Sequence, residues 1–174
     1  PPRPASATAS KEGGGVVGLR GADSEAPKAL RDVGKMVGQS QVPRIPPGPP
    51  GAGTILLFDN GGQAGLGRPT PCAPNGHNHA TRGYSRVLEI DPVSLEVVWA
   101  FTPAEAGFLF PMDSSRFYSP FVSGAQRLPN SDTLICEGSD GRIFEVTKEH
   151  ELVWEYVCPY KGTALPMNMV YRAY

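Results

Sequence analysis

Polar and apolar positions divide this chain into two regions that follow different rules. From residue 54 onward, short β-branched and aromatic runs alternate with turn residues, which predicts strands over 54–59, 84–91, 95–102, 121–128, 132–138, 141–147 and 151–158, most of them antiparallel neighbours. Along 95–101, Val97, Trp99 and Phe101 share one face at period two, and Leu152, Trp154 and Tyr156 do so along 150–156. The opposite face sets Val98 and Val153 beside Glu96, Glu151 and Glu155, as suits an outer strand partly in water. Before residue 54 this alternation is missing. There, Ser24, Glu25 and Pro27 read as a helix start, and Leu30, Val33 and Val37 recur at helical spacing, so a short helix over 25–37 is expected despite Gly34. Residues 39–53 are expected to be extended or polyproline-like, because proline fixes its own φ and restricts the residue before it.

The β region also repeats itself. Ile55-Leu56-Leu57-Phe58-Asp59 aligns with Thr133-Leu134-Ile135-Cys136-Glu137, each an apolar strand ending in a carboxylate. Arg86-Val87-Leu88-Glu89-Ile90 aligns with Arg142-Ile143-Phe144-Glu145-Val146, and Val97-Val98-Trp99 with Leu152-Val153-Trp154. Three strands in the same order, twice, are the signature of a propeller blade. The first copy carries a long loop, 60–83, between its first two matched strands. The fold class expected is therefore all-β: a partial β-propeller over 51–174 with two recognisable blades and at most a partial third, preceded by an extended Pro/Gly-rich arm over 1–50.

Composition supports that division. The 19 Pro and 21 Gly are unevenly spread, denser over the first fifty residues, which contain no aromatic side chain. Such a segment cannot bury enough apolar area to offset its ordering entropy, so it is expected to make few contacts with the β part. A net charge of −1 gives no electrostatic footprint for nucleic acid or anionic lipid. Aliphatic and aromatic runs such as 55–58 are far below the roughly 20 residues that span a bilayer. A start at Pro1 without an apolar signal core suggests a processed chain, which points to an extracytoplasmic or organellar address. Cys72, Cys136 and Cys158 show no paired disulfide or zinc spacing.

Six segments in order, namely 53–61, 84–92, 124–130, 137–147, 153–157 and 171–174, resemble the C-terminal portion of the arylsulfotransferase family. The resemblance implies a β-propeller. Its members move a sulfuryl group from a phenolic sulfate to a phenol through a sulfated histidine, without a nucleotide cofactor. It also implies a role for Arg86, in Tyr84-Ser85-Arg86, in stabilising the sulfuryl oxygens as they gain charge. The family's His-Asp strand is replaced here by Ile45-Pro46-Pro47-Gly48-Pro49-Pro50-Gly51. A histidine expected just before Gln126-Arg127-Leu128-Pro129-Asn130 gives way to Ser119-Pro120-Phe121-Val122-Ser123-Gly124-Ala125.

Repetition offers a structural role for the same arginine. Arg86 and Arg142 occupy equivalent positions, each after a strand ending in Asp59 or Glu137, and the 138–141 connector should set Glu137 opposite Arg142 as a cross-strand ion pair. Cys72, His77 and His79 could together ligate zinc or copper, but no fourth ligand accompanies them and a polar loop is the preferred reading. His150 reads as a solvated turn residue, and Trp99, Trp154, Phe144 and Tyr156 as core rather than an aromatic cage.

The function expected from sequence is a non-catalytic accessory or structural subunit, with no cofactor. Its partners are other protein subunits that cover blade faces or strand edges, since two blades cannot hide all of these rings against each other. The alternative is an aryl sulfotransferase whose missing blades and histidines come from another chain. A small-molecule-binding remnant is a third class.

Overall fold

The computed structural model describes residues 36, 38–62, 82–163 and 167–174. The expected helix over 25–37, apart from Met36, lies outside the described residues, as do Cys72, His77, His79 and most of the long loop. Two four-stranded antiparallel sheets make up the described fold. Sheet 1 runs in chain order through β1 (Gln39–Ser40), β2 (Ile55–Asp59), β3 (Arg86–Ile90) and β4 (Val97–Phe101). Sheet 2 runs through β5 (Gly124–Arg127), β6 (Thr133–Glu137), β7 (Arg142–Val146) and β8 (Leu152–Val157). A 3-10 turn at Ser114–Arg116 lies in the connection between the sheets. All seven expected strands are present, shorter at their ends.

The internal repeat is a repeat of register. Asp59 pairs with Arg86 and Ile55 with Ile90 in sheet 1, as Glu137 pairs with Arg142 and Thr133 with Val146 in sheet 2. Glu89 stands opposite Trp99, and Glu145 opposite Trp154, each followed by an irregularity in the ladder. Even the β3–β4 and β7–β8 turns match, with Asp91 N–H donating to Glu96 O and Thr147 N–H to Glu151 O at 2.9 Å. Leu95 and His150, at equivalent turn positions, both take positive φ, 62° and 72°.

The core lies between the sheets. Leu56, Phe58, Val87, Trp99 and Phe101 from one face of sheet 1 pack with Ala125, Ile135, Phe144 and Val146 of sheet 2, and Phe117 fills the centre. Phe117 meets Phe58, Phe101 and Phe144 edge-on, at 5.9, 5.4 and 6.0 Å between centroids, the geometry aromatic quadrupoles favour. The other face of sheet 1 carries a second cluster, Leu57, Leu88 and Ile90, with Met36 and Ala100 against it.

Two expectations need correction. The segment before residue 51 does contact the sheet: Gln39 and Ser40 pair with Asp59 and Phe58, Arg44 bridges to Ile55, and Ile45 is buried in the main core. Proline removes a donor but keeps its acceptor, so Pro43 O receives Leu56 N–H at 3.0 Å, while Ile45 N–H and O bond Thr54 O and Gly53 N–H. The second correction concerns Trp154 and Tyr156. Both are exposed, because β8 is an edge strand with no sheet over it, and all six of its residues are exposed.

Candidate functional site

The densest chemistry lies at the seam where the ends of β2 and β6 meet the chain entering sheet 2. Asp59 and Glu137 end equivalent strands with their carboxylates buried, and each faces an arginine from the next strand. Arg86 Nε donates to Asp59 Oδ2 at 2.8 Å, and Arg82 Nη1 reaches the same oxygen at 3.0 Å. Arg142 spans two carboxylates: Nη1 to Glu137 Oε2 at 3.3 Å and Nε to Glu155 Oε1 at 2.5 Å. Glu137 also accepts Tyr118 N–H at 2.8 Å. Burial pushes its carboxyl above the usual range, against the lowering effects of Tyr118 N–H and Arg142.

Between these pairs runs a buried chain of amide and hydroxyl groups. Asn60 Nδ2 donates to Ser119 O at 2.6 Å and Val122 O at 2.7 Å, tying sheet 1 to the strand entry of sheet 2. Ser85 Oγ donates to Asn60 O and accepts Ser119 N–H, both at 2.8 Å. Ser123 Oγ donates to Ser119 Oγ at 2.8 Å, which accepts Ser139 N–H at 2.9 Å. Each hydroxyl both donates and accepts here, so the arrangement reads as a polar weld that satisfies backbone ends.

A further ion pair lies deeper. Arg127 Nη2 meets Glu89 Oε2 at 2.6 Å with both side chains almost fully buried, and Thr54 Oγ1 donates to the other Glu89 oxygen at 2.7 Å. The Arg127 guanidinium lies over the Trp99 ring at 5.1 Å, and Trp99 Nε1 donates to Lys148 O at 2.9 Å. His150, expected as a solvated turn residue, instead packs its ring against Trp99 at 5.4 Å, because the β7–β8 turn folds over the indole.

Of the residues singled out by sequence, Asp59 with Arg86 and Glu137 with Arg142 are brought together as pairs. Trp99 is 8 % exposed and Trp154 48 %, although they are repeat equivalents. Sequence reasoning missed Glu89, Arg127 and the Asn60–serine chain. Glu89 carried one readable signal, a lone acid among the apolar residues of β3. No group of three or more His, Cys, Asp or Glu side chains suited to a metal gathers among the described residues. No helix among them is long and apolar enough to cross a membrane. Comparison with protein-family models, curated proteins and solved structures returned no match.

Proposed function

We propose that this chain is a structural subunit: two blades of a β-propeller resembling the arylsulfotransferase type, completed by further polypeptide and used for assembly rather than catalysis. The observation that carries this reading is the unequal burial of equivalent faces. Trp99 and Phe101 are sealed by sheet 2, whereas Trp154 and Tyr156, in the same register on β8, face solvent. A soluble chain seldom leaves a continuous apolar face of that kind open, and covering each large side chain is worth about 1.5–3 kcal/mol.

Arg86 fits the structural role better than the sulfuryl-binding one. Its Nε is held by the buried Asp59 carboxylate, as Arg142 is held by Glu137 in the second sheet, where no family role is implied. An arginine repeated with its acid is explained by strand pairing in both places.

The test is isolation of the tagged chain from its native source under mild conditions, followed by native mass spectrometry and an aryl-sulfate turnover assay. The expected result is a stoichiometric complex larger than the 18.5 kDa chain, with no sulfuryl transfer attributable to it. A free monomer, or turnover abolished by Arg86→Lys, overturns the reading.

A further inference from the structure

Because the two sheets share one register, the contact between them records what each kind of face accepts. Sheet 1 turns Glu89, Trp99 and Phe101 toward sheet 2, and sheet 2 turns Glu145, Trp154 and Tyr156 outward from the same positions. The rings keep the same stacked relation: Trp99–Phe101 at 6.4 Å and 17°, Trp154–Tyr156 at 6.4 Å and 10°. Inside the molecule, Glu89 is met by Arg127, and the Trp99 indole by Lys148 O and His150. At the outer face Glu145 accepts the Asn130 amide at 2.8 Å, which also serves Asp132, and it neighbours the Asp132 carboxyl, with no ion pair to a cation among the described residues. The outer face thus has an acid without its cation and an aromatic pair without its cover.

The far side of sheet 1 repeats the groups that satisfy them. Arg44 bridges opposite Ile55, and Arg127 pairs opposite Thr133, which is the repeat equivalent of Ile55. Arg44 is exposed, and its Nε donates to Gly53 O at 3.1 Å. Leu57, Leu88 and Ile90 stand where Ile135, Phe144 and Val146 stand in sheet 2. The 92–95 turn corresponds to the Lys148–His150 turn, with Leu95 in place of His150, and Val93 at its tip is 91 % exposed.

We propose that the outer face of sheet 2 docks onto sheet 1 of a second copy of this chain, head to tail, with Glu145 paired to that copy's Arg44 and Trp154 seated on its 92–95 turn. This rests on the subunit reading and specifies its partner. Leu57, Leu88 and Ile90 are already only 4, 3 and 6 % exposed, with Met36 packed on them, so the docking requires that this cover give way while Arg44 and the 92–95 turn supply the exposed part of the contact. A head-to-tail contact is heterologous and closes into a ring when its rotation allows. With two blades per chain, closed propellers of about four to eight blades correspond to about two to four copies.

Sedimentation velocity and native mass spectrometry of the purified full chain over a micromolar concentration series test this directly. The expected result is one discrete species of about two to four copies. Trp154→Glu and Glu145→Arg should each raise its dissociation constant about tenfold or more, as loss of a central anchor does. Arg44→Glu should act likewise, and Arg44→Glu combined with Glu145→Arg should restore assembly, an outcome that does not depend on the Trp154 variant folding. Circular dichroism and the thermal midpoint verify that each variant is folded. A monomer at every concentration, or an oligomer indifferent to Trp154→Glu, Glu145→Arg and Arg44→Glu, overturns the proposal. A monomer leaves the subunit reading standing, since that reading is decided in material from the native source.

Discussion

Glu89 and Arg127 meet at 2.6 Å across the seam between the two sheets, with side chains only 6 % and 4 % exposed. Neither charge tolerates that environment alone, because removing one partner strands the other in a low-dielectric interior. Arg127→Met is therefore expected to cost about 3–5 kcal/mol, and Glu89→Leu/Arg127→Met less than the sum of its parts. Urea unfolding followed by tryptophan fluorescence, arranged as a double-mutant cycle, measures both quantities.

Asp59 and its two arginines should respond unequally to substitution. Removing Arg86 or Arg82 leaves the buried carboxylate with the other guanidinium, whereas Asp59→Ala removes the carboxylate that both arginines share. Asp59→Ala should therefore lower stability more than either Arg86→Ala or Arg82→Ala, by at least about 1 kcal/mol. Equal losses in chemical denaturation would refute this division of roles.

The two tryptophans should separate energetically despite their equivalent positions. Trp99→Ala removes a buried ring and leaves Lys148 O without its donor, an expected loss of about 3–5 kcal/mol. Trp154→Ala, measured at dilution where any self-association is dissociated, should cost under about 1 kcal/mol, as for an exposed side chain. Thermal and urea midpoints of the two variants provide the check.

Cys136 is buried on β6, and burial pushes its thiol up to about 11 from an ordinary 9.0. Below pH 9 the thiol is neutral in both folded and unfolded chains and the shift has no effect. Between about 9 and 11 the unfolded chain releases this proton first, so the contribution of Cys136 to stability falls as pH rises through that window. Cys136→Ala should flatten that part of the pH–stability curve. Peptide-level mass spectrometry after brief alkylation should find Cys158, which is only partly buried, labelled well before Cys136.

The sequence by itself determined the strand order, the internal repeat and the acid–arginine register, because these depend on local period-two alternation and on ladders between neighbours in the chain. Glu137 opposite Arg142 follows from strand ends and a short connection, and Asp59 opposite Arg86 follows from the repeat despite the long 60–83 loop. The tertiary structure decided everything that joins the sheets. Glu89 reads as one acid in β3 and Arg127 as one base in β5; their pairing depends on which face of sheet 1 meets which face of sheet 2, a relation between residues distant in the chain. The same holds for Asn60 and its serines, and for Pro43 and Ile45, whose proline-dense surroundings concealed a backbone that still accepts hydrogen bonds. Trp99 and Trp154 show the limit most directly: their local patterns match, and only the presence of a second sheet over the first buries one and leaves the other in solvent.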